Sequence, residues 1–215
     1  LGAQGEGPGE IRLPGSMSVG PGGEVAVFDF GKRALVRFGS AGDVLPEQVF
    51  VHPPIPGVER HIEVTPSGTL VATMGSPVEE GTFREVLRLV SASDTVLVAD
   101  RSFPRAEMVR YPSCGGGLNL PRIFEPQMAW DAEGGRVAVV RTARYEVEVY
   151  EEGRLVGKVR RQLAPRTATR DMALAELGEG FPINFGRGLC TIPPEEMIDQ
   201  RGYTEVLPWA SQVTL

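Results

Sequence analysis

The chain has 215 residues and a formal net charge of −6, so it has no overall attraction for nucleic acid or an anionic membrane, and a polyanionic partner would need a local basic patch. Its 27 Gly and 18 Pro are many for a helical protein, while 41% hydrophobic residues suffice for a core, so the Gly and Pro read as turns and the fold as built on sheets. No apolar run approaches the roughly 20 residues that span a bilayer, and no basic segment followed by an apolar stretch opens the chain; beginning on Leu1, it is expected to be a mature or excised piece.

In chain order, Gly2 to Pro14 is too rich in Gly and Pro to form an element and reads as a connector. Strands are predicted at 16–19, 24–29, 34–38 and 44–51, then at 61–65, 69–74, 83–90 and 95–100, and again at 127–131, 136–142, 145–150 and 154–161. A small-residue turn recurs inside each group: Gly22-Gly23, Pro66-Ser67-Gly68 and Asp131-Ala132-Glu133-Gly134 lie between apolar runs. A second turn follows each one, at Ser40 to Asp43, Ser91 to Asp94 and Glu151 to Gly153. Four short strands per unit is the composition of a propeller blade. The runs Val25 to Phe28 and Val137 to Val140 are continuously apolar, as in a sheet covered on both faces. Tyr145 to Val149 alternates, which predicts one wet face.

Between the units run long loops, 101–126 and 162–208. The second holds the one predicted helix, capped by Thr167 or Thr169, running through Asp171, Met172, Leu174 and Leu177, and ended by Gly178. Trp209 to Leu215 reads as the first strand of a fourth unit.

Gly5-Glu6-Gly7-Pro8-Gly9-Glu10-Ile11 with Pro14 resembles the opening loop of bacterial NHL-repeat, TolB-like six-bladed β-propellers. Val25 to Asp29, followed by Arg33, Val36-Arg37-Phe38 and Gly42, is similar to their blade motif. The second unit replaces the motif's Asp with Thr73 or Met74, and the third has Val140-Arg141. The resemblance implies an all-β fold: an incomplete propeller with blades at about 16–51, 61–100 and 127–161, an insertion at 162–208, the start of a fourth blade at 209–215, and two open edges. It also implies an extracytoplasmic setting, whether periplasmic, secreted or lipid-anchored.

Several residues are weighed for chemistry. Gly5-x-Gly7-x-Gly9 matches neither a dinucleotide fingerprint nor a P-loop and reads as structural. His52 and His61, the two histidines, give a triad or a multi-His metal centre little to draw on. Asp29, Asp100, Asn119, Glu125 and Asn184 are oxygen donors for a channel cation, but their spacing does not mark them as ligands, and Asp29 reads as a strand-end residue bonding loop amides. The basic run from Arg154 through Lys158, Arg160, Arg161 and Arg166 to Arg170 reads as protection of an edge strand rather than a polyanion stripe.

Cys114 and Cys190 form no C-x-x-C pair and are read as free thiols in preference to one disulfide tying the two long loops. Both loops follow successive units and are expected on one face. Phe185, Arg187, Tyr203 and Trp209 are the candidate ligand-binding residues, because aromatic and Arg side chains clustered in a long loop suit recognition. The expected function is a non-enzymatic binding or scaffold module for a protein or polysaccharide ligand, with no cofactor, no metal, no nucleic acid and no transmembrane segment. The alternatives are a propeller hydrolase or lyase with a channel metal, and a polysaccharide-binding surface protein.

Overall fold

Antiparallel meanders carry the structure, a computed structural model that describes residues 3–50, 62–75, 79–141, 143–184, 188–210 and 214. Sheet I is β1 (Pro14–Val19), β2 (Val25–Asp29), β3 (Ala34–Phe38) and β4 (Val44–Val49). Sheet II is β5 (Ile62–Thr65), β6 (Gly68–Gly75), β7 (Thr82–Val90) and β8 (Thr95–Pro104). A hairpin of β9 (Val109–Tyr111) and β10 (Gly116–Leu118) comes next. Sheet III is β11 (Met128–Glu133), β12 (Arg136–Arg141), β13 (Glu146–Glu151) and β14 (Arg154–Arg160). The chain then forms α1 (Arg170–Leu177), β15 (Phe181–Asn184), β16 (Leu189–Ile192) and α2 (Pro194–Arg201). In each four-stranded sheet the strand order is the chain order.

Local chemistry sets these hairpins. Gly134 and Gly135, with φ of 57° and 85°, form the two-residue turn between the paired Glu133 and Arg136, a conformation that strongly favours glycine. At Gly68 φ is 143°, and a Cβ there would stand 2.5 Å from the Val90 carbonyl oxygen, so only glycine fits. Each sheet also carries an irregularity in the pairing of its third and fourth strands, at Leu35/Arg37, Leu87/Arg88 and Val149/Tyr150. The repetition of this feature in all three sheets is a structural counterpart of the sequence repeat.

The core explains the apolar runs. Ala26, Phe28, Leu35 and Phe50 of sheet I pack on Ile62, Val71 and Val90 of sheet II. The opposite face of sheet II, through Leu70, Ala72, Leu87 and Leu89, packs on Met128, Trp130, Val137 and Val139 of sheet III. Successive residues of β6 therefore serve different neighbours, and a continuously apolar strand is what a sheet covered on both faces requires.

Three expectations are corrected. The segment Pro193-Pro194-Glu195-Glu196, which falls in the long loop 162–208 by sequence, caps and starts a second helix, α2. Proline tolerates the first turn, two acids there complement the helix dipole, and Gly202 closes the end. The loops 101–126 and 162–208 contain the β9–β10 and β15–β16 hairpins, and β8 runs on to Pro104. Trp209 and Ala210 are not in a strand, while 211–213 and 215 of the expected fourth unit lie outside the described residues. Thr169, one of the two expected caps, accepts the Met172 N–H at 3.3 Å to start α1.

Candidate binding cleft

The two insertions pack on one another. Tyr111, Ile192 and Met197 form one small core, with Leu118, Phe181 and Ile183 around it. Ile123, Ala173 and Ile198 form a second, flanked by Phe124, Leu174 and Tyr203. These contacts bring the turn after β9 against β16, where Cys114 and Cys190 are joined in a disulfide with Cα atoms 5.8 Å apart. The free-thiol reading is thereby corrected: apolar side chains on both insertions cluster together and carry the sulfurs into bonding range.

The same packing holds the chain just before sheet III. The Ile123 N–H donates to the Gly202 carbonyl at 3.1 Å, and the Thr204 N–H donates to the Ile123 carbonyl at 3.0 Å. The Thr204 hydroxyl donates to the Phe124 carbonyl at 3.2 Å, and the Arg201 Nε–H to the Pro121 carbonyl. Glu125, Pro126 and Gln127 thus emerge from an anchored segment and form one side of a cleft of about 420 Å³. The end of β8, from Asp100 to Pro104, forms another wall, and Arg141, Ala143 and Arg144 at the end of β12 form the rest.

The β8 wall is a stack of guanidinium and aromatic groups. The Arg101 guanidinium lies 4.5 Å from the Phe103 ring centroid, Phe103 lies 5.9 Å from Phe83, and the Arg105 guanidinium lies 5.6 Å from Phe83. Glu85, 3% exposed, sits 3.4 Å from the Arg101 Nε. Burial raises the Glu85 carboxyl above its usual range against the pull of Arg101. Burial also lowers the Arg101 guanidinium; Glu85 and Glu125 oppose this, and the neighbouring Arg141 adds to it.

On the sheet III side, Arg141 donates from Nη1 to the Asp100 carbonyl at 2.6 Å and from Nε to Glu148 at 3.3 Å. Glu148 also accepts from the Tyr150 hydroxyl at 3.0 Å and pairs with Lys158 at 2.8 Å. Burial works to raise the Glu148 carboxyl, but Lys158, Tyr150 and Arg141 outweigh it and hold it below the usual range. Asp100 is paired with Arg84 at 2.8 Å and Glu125 with Arg122 at 3.0 Å. Arg144 is exposed, and its side chain has no hydrogen-bond or ion-pair partner among the described residues. The arrangement can fix a polar or charged group between guanidinium forks while an apolar body rests on Phe103, Pro104 and Pro126.

The residues singled out from the sequence are distributed as follows. Tyr203 is half-buried, packs on the small core of Ile123, Ala173 and Ile198, and forms a backbone bridge with Ile123, two residues before the cleft's Glu125; it does not line the cleft. Trp209 is half-buried, and Phe185, Arg187, His52 and His61 lie outside the described residues. Asp29 is fully buried and accepts the backbone N–H groups of Arg12, Leu13 and Lys32 at 2.5, 3.2 and 3.0 Å. Asp100 and Glu125 both reach the cleft, whereas Asn119 and Asn184 are exposed elsewhere. Among the described residues no group of three or more His, Cys, Asp or Glu is placed to hold a metal ion. Of the basic run, Arg160 binds Glu146 at 2.6 Å and Lys158 binds Glu148, so these two charges are spent inside sheet III.

Arg101, Phe103, Arg141 and Arg144 were missed by sequence reasoning. The available signal was the alternation Arg101-Ser102-Phe103-Pro104-Arg105, which places three cation or aromatic side chains on one face once β8 is extended. No protein-family model matches the chain, and no curated protein is significantly similar to it.

Proposed function

We propose that this chain is a non-enzymatic binding module built from three propeller blades of the NHL-like, six-bladed kind, and that its ligand seats in the cleft between sheets II and III. The observation that carries the reading is the convergence of Arg101, Arg141 and Arg144 with Phe103 in a cleft of about 420 Å³, one side of which comes from an insertion segment pinned by hydrogen bonds to a disulfide-bridged body. A rigid scaffold with anchored loops suits recognition, because little ordering entropy is lost on binding. The row of three meanders, each packed face to face on the next, supports the blade assignment. The disulfide supports an extracytoplasmic setting, since such bonds persist in oxidising compartments.

A fragment screen observed through backbone amide resonances tests the site. Hits are expected to cluster at Asp100 to Phe103, at Glu125 and Gln127, and at Arg141 and Arg144. Clustering around Tyr203 and Trp209 instead, with the cleft silent, would move the site to the insertion surface.

A further inference from the structure

We propose that the cleft takes a ligand bearing one carboxylate beside an apolar body, with Arg144 and Arg141 holding the carboxylate; this rests on the cleft being the binding site. Three guanidinium groups and two carboxylates line it, which leaves one positive charge in excess. Most of these charges already have partners: Asp100 has Arg84, Glu125 has Arg122, Arg101 has Glu85 and Arg141 has Glu148. Arg144 is the lining cation without a partner among the described residues. An acceptor brought by the ligand completes the set, and a planar guanidinium fork matches a carboxylate through two parallel hydrogen bonds.

The neighbouring acids select against a larger charge. Asp100, Glu125, Glu85 and Glu148 already occupy Arg84, Arg122, Arg101 and Arg141, so the second charge of a dianionic phosphate finds no further unpaired cation among the described residues of the lining, whereas a single carboxylate is matched by Arg144. Phe103, Pro104, Pro126 and Ala143 supply the apolar contact, and the volume falls within the roughly 300–1,000 Å³ usual for small-ligand sites. Two sources share this chemistry: a free amphipathic acid and the C-terminal carboxylate of a peptide ending in an apolar residue.

The test titrates the whole chain with 3-phenylpropanoate, 3-phenylpropanamide, phenyl phosphate, and a short peptide ending in Phe as free acid and as amide, reading backbone amide and Arg Nε–H resonances. Saturable shifts at Arg141, Arg144 and Asp100 to Phe103 are expected with the acids. Each amide should bind about tenfold more weakly, the scale of one lost charge-assisted pair. Arg144→Gln should weaken acid binding about tenfold with unchanged far-UV circular dichroism, and Arg144→Lys should restore part of it. Tighter binding of the peptide acid would assign a chain terminus, and tighter binding of the small acid a free molecule. Equal binding of acid and amide at the same residues would overturn the carboxylate while keeping the cleft as the site. Tighter binding of phenyl phosphate would overturn the single charge. The absence of any cleft shift with every probe up to about 10 mM, below even millimolar affinity, would overturn the proposal.

Discussion

Cys114 and Cys190 are 76 residues apart in sequence, yet their Cα atoms stand 5.8 Å apart and their bridge closes the insertion after sheet II onto the insertion after sheet III. Because sheet III lies between them in the chain, the bond encloses a whole meander and restricts the unfolded chain over that length. Reduction, or replacement of both cysteines by serine, is expected to lower unfolding free energy by about 2–4 kcal/mol. Urea titrations with and without reductant check this, and a thiol assay on the denatured, unreduced protein should find none free. Unchanged stability on reduction would show that the insertion core alone holds the two loops together.

Asp29 is expected to govern acid stability around sheet I. Burial works to raise its carboxyl, but the backbone N–H groups of Arg12, Lys32, Leu13 and Gly31 outweigh it and hold the group below its usual range. A carboxyl held lower in the folded than in the unfolded chain stabilises the fold above its unfolded value of about 3.9, and the contribution is lost as pH falls through the folded value. Asp29→Asn should therefore cost about 1–3 kcal/mol at pH 7 through unsatisfied backbone donors, and the gap to the unsubstituted protein should shrink as the pH is taken below 4. Denaturant midpoints across that range decide it; a gap independent of pH would contradict the assignment.

Leu87 tests whether sheets II and III share one core. It is 0% exposed and packs in the cluster that joins the two sheets, so Leu87→Ala should cost about 2–5 kcal/mol. Met17, 67% exposed on β1, serves as the control, and Met17→Ser should change stability by less than about 0.5 kcal/mol. Equal, small effects at both positions would mean that the sheets do not rely on this contact.

The meanders were legible because their signals are local. Glycine turns and apolar runs placed eleven of the twelve strands in the three sheets to within about two residues, and the continuous runs at Val25 and Val137 announced strands with little wet surface. The exception, β8, continues to Pro104 because Phe83 and Phe103 pair across strands; Arg101 and Phe103 were not read as partners in the sequence, although they lie two residues apart. Most of the cleft was not legible. It joins the ends of β8 and β12 with the segment before β11, and that proximity follows from the packing of sheet II on sheet III. Asp100 and Glu125 were marked as oxygen donors, but their ion pairs with Arg84 and Arg122 belong to the fold. The disulfide was legible only as one of two options, since the choice depended on Tyr111, Ile192 and Met197 meeting in one core.

The most direct measurement of the central claim, that the cleft between sheets II and III is the binding site, is a crystal structure of the protein soaked with the fragments that bind it in solution. Fragment density is expected between Phe103 and Arg144, with a polar group of the fragment within hydrogen-bond distance of Arg141 or Arg144. Density confined to the surface around Tyr203 and Trp209, with the cleft empty in every soak, would contradict it.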